Sequence, residues 1–266
     1  DRFCGGGITA VNLAAAQIMS GMEDLIIAGG TEMMSLTATM AADEAAAGFP
    51  PGLMGAHNAS LDVQHPQSHQ GVCGDAIASM EGVTRAELDA FALESQRRAA
   101  HAIAEGRFDR SIVPVKDAEG RVVLARDEYP RPETTADGLA KLKPAFTVLA
   151  DMPYNEAGAT FRNQINRRYP DLKIEHVHHA GNSSGVVDGA AAVLLASRDY
   201  AEKHGLNARG RVVAMANVGD DPTLMLNAPV PAAQKVLAKA GLTKDDIDLW
   251  ELNEAFASQC LYSRDK

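Results

Sequence analysis

The amino-acid sequence predicts an α/β protein of duplicated strand–turn–helix layers, interrupted by a long excursion out of the sheet. Three observations predict it. Ile8, Val11, Ala15, Ile18 and Met22 fall on one side of a 3.6-residue wheel, the pattern of a helix over 8–20 with one buried face. The run Leu25-Ile26-Ile27-Ala28, closed by Gly29-Gly30, is continuously apolar, as suits a strand covered on both faces of a parallel sheet. Near the other end the strand pattern 247–252 reaches Asn253 and a helical pattern follows, so the layout around Cys4 returns. A helix joined to a strand is half of a β/α layer unit. Ligands of such sheets gather beyond the carboxyl ends of their strands.

The elements follow in order. Helix 8–20 meets a stop at Ser20-Gly21. From about 36 to 68 the periodicity dissolves into Ala, Met, Gly, Pro and His, with Phe49-Pro50-Pro51-Gly52 the clearest turn. Thr84-Arg85-Ala86-Glu87 is a capping box, opening a helix with Leu88, Phe91, Ala92, Ser95 and Ala99 inward and Gly106 at its end. The runs 112–115 and 121–124 flank Asp117-Ala118-Glu119-Gly120 and predict a hairpin. Prolines hold Asp127-Glu128-Tyr129-Pro130-Arg131-Pro132 irregular. The stretch 188–195 predicts a buried strand, and so does 212–216. Pro231 stands at the first position of a helix ended by Gly241. Residues 243–246 form another box, and 247–252 a strand.

Composition bounds the function. The 266 residues hold one large domain or two modest ones. Acidic residues outnumber basic ones, 35 to 25, for a net charge of −10, and no Lys/Arg block stands out. That argues against nucleic acid and anionic membranes as partners. Cys4, Cys73 and Cys260 are widely spaced and form neither a disulfide framework nor a Cys-x-x-Cys site, which points to a reducing compartment. With no signal-peptide pattern and no apolar run of membrane-spanning length, a soluble, cytoplasmic protein is expected. The chain opens at Asp1 with its candidate nucleophile at position 4, and 254–266 reads as a helix that stops, so a fragment is expected.

Cys4 sits where an extended entry meets a helix, beside Gly5-Gly6-Gly7. Glycines there free backbone N–H groups to point outward, and the positive end of the helix favours thiolate over thiol. A small buried cysteine in a plain turn fits the same residues. His176 and His178 alternate onto one face of an extended segment and His179 onto the other. A third ligand and a supporting shell are not visible, so no metal is expected.

Wider strings carry a resemblance. Arg2-Phe3-Cys4, Gly7-Ile8-Thr9-Ala10 and Ala28-Gly29-Gly30-Thr31-Glu32-Met33-Met34-Ser35 resemble the nucleophile region of thiolases, the acyl-CoA acetyltransferases that make or cleave 3-ketoacyl-CoA. That family usually reads Cys-x-Ser-Gly, and Gly6 stands here for the Ser. Asn253-Glu254-Ala255-Phe256-Ala257 is similar to a string of thiolases and close relatives. The resemblance implies duplicated βαβαβ layers with an inserted loop domain that covers CoA, incomplete at both ends. Its parts would be 1–35 and 181–206 in the first half, 36–180 in the loop domain and 207–266 in the second half.

It also implies roles. Cys4 is the nucleophile, and Asn253 holds a water that donates to the enolate oxygen of a bound acetyl thioester. Asn253 as a helix N-cap is the other reading. His69, Ala180, Ser184, Met225 and Phe256 would lie against CoA or substrate. Locally, a plain turn fits Ala180 and Ser184 equally well, and an exposed loop histidine fits His69. Gln70, Cys73, Asn227 and Ala228 depart from the family pattern, as does the extra length of 147–176, which is either a solvated insertion or a wall for a bulky acyl group. CoA is a substrate, with no permanently bound cofactor, and the family is usually dimeric or tetrameric.

The implied general base, a His in Gly-His-Pro, and the second Cys, in Cys-x-Gly, have no counterpart here, and Cys260 reads as core. This polypeptide alone is therefore expected to be inactive, and poorly soluble through uncovered edges. A non-catalytic acyl-CoA-binding subunit and a condensing enzyme of the ketoacyl synthase type are the alternatives.

Overall fold

The computed structural model describes residues 2–46, 58–154 and 158–266. The turn expected at Phe49-Pro50-Pro51-Gly52 lies outside them. A single 3₁₀ turn, Phe3–Gly5, leads into α1 (Gly6–Met19), β1 (Leu25–Met33) and α2 (Met34–Ala46). Next come α3 (Ala59–Gln64), α4 (Gln70–Glu81), α5 (Arg85–Ala104), β2 (Val115–Lys116), β3 (Val122–Leu124) and α6 (Ala136–Ala140). Then follow α7 (Thr147–Asp151), α8 (Phe161–Arg168), β4 (Asp188–Ala196), α9 (Arg198–Lys203), α10 (Pro229–Ala240) and α11 (Ala257–Asp265). The chain divides into two compact units. One is Asp1–Phe49, Val186–Val218 and Pro231–Leu249, and the other is Pro50–Gly185, Gly219–Val230 and Trp250–Lys266.

In the first unit, α1 begins two residues ahead of the expected start, because Gly6 takes right-handed helical angles. It ends at Ser20, with Gly21 at φ +76° reversing the chain. Of the expected apolar stripe, Ala15 is buried with its neighbour Ala14, whereas Ile8 is 71% exposed and Met22 69%. The helix packs on β1, and among the described residues nothing covers the ends of the stripe.

β1 pairs antiparallel with β4, from Leu25↔Ala196 to Met33↔Asp188. The expected buried parallel strand at 25–28 is therefore longer, antiparallel and mostly exposed, with only Ala28 buried. Gly29 and Gly30, expected to close the strand, lie inside it, and a Cβ at Gly29 would meet the backbone of Ala191. β4 runs where expected but is exposed, not buried. The Asp188 carboxylate accepts from Ser35 N–H (2.8 Å) and Ser35 Oγ (2.6 Å), tying the start of α2 to β4.

The strands expected at 212–216 and 247–252 do not form. No described strand lies alongside either, and an unpaired strand leaves its backbone groups without partners. Carbonyls at Met215 and Asn217 accept instead from Lys239 Nζ (3.1 Å) and Lys235 Nζ (2.8 Å) of α10. That helix starts at Pro229, not Pro231, and stops before Gly241 at φ +68°. The second box is present, with Asp246 accepting from Thr243 N–H (2.8 Å).

The second unit is built on α4, which is buried from Gly71 to Ala78. Val72, Cys73 and Ala76 join Ala150 of α7, Phe161 and Ile165 of α8, Ile174 and Leu224 in one core. Ala78 joins Leu88 of α5 and Ala257 and Leu261 of α11 in another. Each fully buried Val, Ile, Leu or Phe contributes about 1.5–3 kcal/mol. Ala150, Phe161, Ile165 and Ile174 of the stretch 147–176 belong to the first cluster, so its described part contributes to the core and is not wholly a solvated insertion.

The first capping box forms as expected. Thr84 N–H donates to Glu87 Oε2 (2.7 Å) and Glu87 N–H to Thr84 Oγ1 (3.3 Å). The expected hairpin is trimmed to β2 and β3. Pro114 has no N–H for a ladder, so pairing begins at Val115.

Candidate active site

Cys4 lies in the first unit, in the middle of the 3₁₀ turn that opens α1, and is exposed. The residue before it, Phe3, is held at φ +45°, a left-handed angle that costs a non-glycine residue of order 1–3 kcal/mol. Gly5 N–H donates to Arg2 O (2.9 Å) and Thr9 Oγ1 to Gly5 O (2.8 Å), closing the turn. A Cβ at Gly5, Gly6 or Gly7 would meet nothing within 4 Å, so the approach to the helix N-terminus is open. The small-buried-cysteine alternative is excluded: a thiol stands free at the positive end of a helix.

The other sequence-predicted residues all lie in the second unit. His69 is half-buried and caps α4: its Nδ1 accepts from Gly71 N–H (3.1 Å). It is therefore no merely exposed loop histidine. Its ring lies between Phe146 (5.5 Å between centroids) and Phe161 (5.6 Å). Phe146 meets Phe256 edge-on at 5.9 Å, and Phe256 meets His178 edge-on at 5.4 Å. One continuous aromatic row thus joins His69 to Phe256. It fits against α4 because Gly71 and Gly74 share a face there. A Cβ at Gly71 would overlap the Phe146 ring, and one at Gly74 would stand 3.1 Å from Phe256. Met225, at φ +42°, packs on the core beside Leu224.

Ala180 and Ser184 lie on the turn 178–184, which two buried carboxylates hold. Asp75 of α4 accepts with Oδ1 from Val177 N–H (3.1 Å), His178 N–H (3.0 Å) and His178 Nδ1 (2.8 Å), and with Oδ2 from His176 Nδ1 (2.6 Å). Asp89 of α5 accepts with Oδ1 from His179 Nε2 (2.8 Å) and Asn182 Nδ2 (2.9 Å). His176 and His178 thus face one side and His179 the other. Their partners assign the tautomers. His176 Nε2 faces Arg162 Nη2 (2.7 Å) and His178 Nε2 faces Ser258 N–H (3.4 Å), so both carry the proton on Nδ1. His179 Nδ1 accepts from Gly181 N–H (3.0 Å), so its proton is on Nε2.

The turn in turn holds the segment 253–257. Ser184 N–H donates to Ala255 O (2.9 Å), Ala257 N–H to Asn182 O (3.1 Å), and Ser183 bridges Phe256. Asn253 is exposed and does not cap α11, whose N-cap position is Phe256. The N-cap reading of Asn253 is thereby removed. Asn253 and Ser184 line one groove of about 290 Å³ with Ser95, Tyr129 and Glu254. Ala180 lines a second, of about 300 Å³, which shares Gln96, Tyr129 and Ser183 with the first. The structure so gathers Asn253, Ala180 and Ser184 around adjoining grooves, and sets His69, Met225 and Phe256 in or beside the core of the same unit.

Burial lowers the pKa of His69, and burial likewise lowers that of His179 against the pull of Asp89. Burial alone would raise the Asp75 carboxyl, but hydrogen bonds from His176, His178 and Val177 outweigh it and hold it below the usual carboxylate range. Burial pushes the Cys73 thiol up to about 12, and Cys260 is likewise pushed up to about 12, as a core cysteine should be. Sequence reasoning missed Asp75 and Asp89. The available signal was the His-x-His-His string, whose nitrogens need acceptors once buried.

A model of the thiolase N-terminal domain matches residues 1–150, and one of the thiolase C-terminal domain matches residues 206–266. The acetyl-CoA acetyltransferase of Syntrophomonas wolfei is 39% identical over 270 residues, covering 98% of this chain and 61% of that protein. The β-ketoadipyl-CoA thiolase of Pseudomonas putida is 39% identical over 271 residues with the same coverage. The crystal structure of the dimeric peroxisomal thiolase of Saccharomyces cerevisiae matches with a TM-score of 0.78 at 32% identity, covering 98% of this chain and 58% of that one. The chain spans about 60% of the length of the curated relatives it matches. Its fold is the thiolase-like α/β fold, and no described helix is long and apolar enough to cross a membrane. With domain matches at both ends and a free thiol opening α1, the chain belongs to the thiolase family.

Proposed function

We propose that the protein is a thiolase-type acyltransferase that cleaves a 3-ketoacyl-CoA with CoA, or runs the reverse Claisen condensation. The observation that carries this reading is Cys4, an exposed thiol at the start of α1 behind the strained Phe3. The Cys4 thiolate attacks the keto carbon, and the bond between that carbon and its neighbour breaks. Its electron pair becomes the enolate of acetyl-CoA, which takes a proton and leaves. The acyl group, now a thioester on Cys4, passes to the sulfur of a second CoA and the Cys4 thiolate is restored.

Asn253 holds the water that donates to the enolate oxygen, a contribution of about 3 kcal/mol to the barrier. The groove lined by Asn253 and Ser184, together with its neighbour beside Ala180, supports CoA contact on this face. His69, Met225 and Phe256 stand on the substrate side of the same reading. CoA acts as substrate, with no permanently bound cofactor. The general-base His and second Cys are not among these 266 residues, so the 266-residue chain alone is expected to give no thiolysis turnover. A homo-oligomer fits the dimeric yeast relative, and a reducing setting such as the cytoplasm fits the three free cysteines.

The test is acetyl-CoA incubation of the complete gene product, acid quench and peptide mass spectrometry. An acetyl group on Cys4, absent in Cys4→Ser together with thiolysis of acetoacetyl-CoA, is the expected result. A Cys4→Ser variant with undiminished turnover rejects the reading, and substrate binding without acetylation favours a non-catalytic acyl-CoA-binding subunit.

A further inference from the structure

Asp75 is fully buried and receives four hydrogen bonds, yet it lines neither groove and nothing in the proposed chemistry uses it. Its strongest consequence lies through His178. That ring, also fully buried, takes Asp75 on Nδ1, presents Nε2 to Ser258 N–H at 3.4 Å and stands edge-on to Phe256. Ser258 Oγ donates to Gly74 O (2.8 Å), back on the helix that carries Asp75. The segment after Asn253 is therefore closed onto α4 from two sides. Ala255 and Ala257 are tied to the 178–184 turn, and that turn is set by the same carboxylate. Asn253 itself is exposed, and its carbonyl accepts from Ala255 N–H (2.9 Å). The backbone position from which its amide projects is thus set by what anchors 255–258.

We propose that Asp75 is a positioning residue which, by orienting His178 and the 178–184 turn, aims the amide of Asn253 without touching substrate. The inference rests on the acyl-transfer reading above and goes further. It assigns to a buried acid the placement of the group that stabilises the enolate. That enolate forms only when the carbon–carbon bond is made or broken. Acylation of Cys4 by acetyl-CoA and its return to CoA involve no enolate, so they do not need Asn253.

The experiment measures two reactions of the complete gene product. One is exchange of labelled CoA into acetyl-CoA, which reads the Cys4 steps alone. The other is thiolysis of acetoacetyl-CoA, which includes the carbon–carbon step. For Asp75→Asn, thiolysis should fall about tenfold to hundredfold while exchange stays within about twofold, as a misaimed group requires. His178→Asn keeps a donor for Asp75 but loses the acceptor for Ser258 N–H, and should behave like Asp75→Asn. His178→Gln carries an acceptor to Ser258 but loses the donor to Asp75, the link through which Asp75 acts, and should likewise lower thiolysis with exchange kept. This pair decides the matter if Asp75→Asn does not fold. Equal losses in both reactions, or no loss in either, overturn the proposal. An unsubstituted protein that shows neither exchange nor acetyl-Cys4 removes the acyl-transfer reading, and the inference falls with it.

Discussion

A methyl group is the smallest probe of the aromatic row. At Gly71, an alanine would gain about 1 kcal/mol of helix propensity. It would also drive a Cβ into the Phe146 ring, which has His69 on one side and Phe256 on the other. Overpacking costs typically 1–3 kcal/mol where neighbours cannot shift, so the loss outweighs the gain. Gly71→Ala should lower the urea midpoint at constant slope by an amount equal to at most about 2 kcal/mol. A stabilised variant would show that the row is loosely packed. The residues proposed for the chemistry stand in local strings legible at this scale: Cys4 beside three glycines, and Asn253 at the head of its motif. Asp75 was not. An acid on a helix normally reads as a solvated face, and its partners His176 and His178 stand 101 and 103 positions away.

Helix termini are the elements the chain specifies most directly, because caps satisfy orphan N–H groups with neighbours three residues off. The box at Thr84 and Glu87 shows both reciprocal bonds, on an exposed turn. Thr84→Ala is therefore expected to cost about 1 kcal/mol in chemical denaturation, with CD helicity unchanged. A loss near zero would mean that Leu88, which anchors α5 in the core, suffices alone. Strands were legible less well. The runs at 25–28 and 212–216 look alike as apolar sequence, and 247–252 alternates apolar residues with Asp248 and Glu251. Only the first meets a partner, β4, among the described residues, and Leu249 stands 90% exposed. A strand is defined by its neighbour, which is not local information.

Acid sensitivity is a property of the whole folded molecule. His69 and His179 have pKa values lowered by burial, so the folded chain resists protons that the unfolded chain accepts from about pH 6.5 downward. Unfolding then takes up protons, and stability falls as pH drops below that value. Asp75 adds to this lower down. Its contribution is complete above the ordinary carboxylate value of about 4 and is lost as pH falls through its lowered folded value. Urea midpoints should be flat above about pH 7.5 and decline from about 6.5. A midpoint unchanged between pH 8 and 5 would contradict the burial of both histidines. By itself, the sequence determined the capping boxes at Thr84 and Thr243 and which family the chain joins, since each is written within a few adjacent residues. Only the tertiary structure decided which apolar runs find cover, that 147–176 builds core, and that Asp75 governs the turn beside Asn253. Burial and buried hydrogen bonds exist only once segments a hundred residues apart have met.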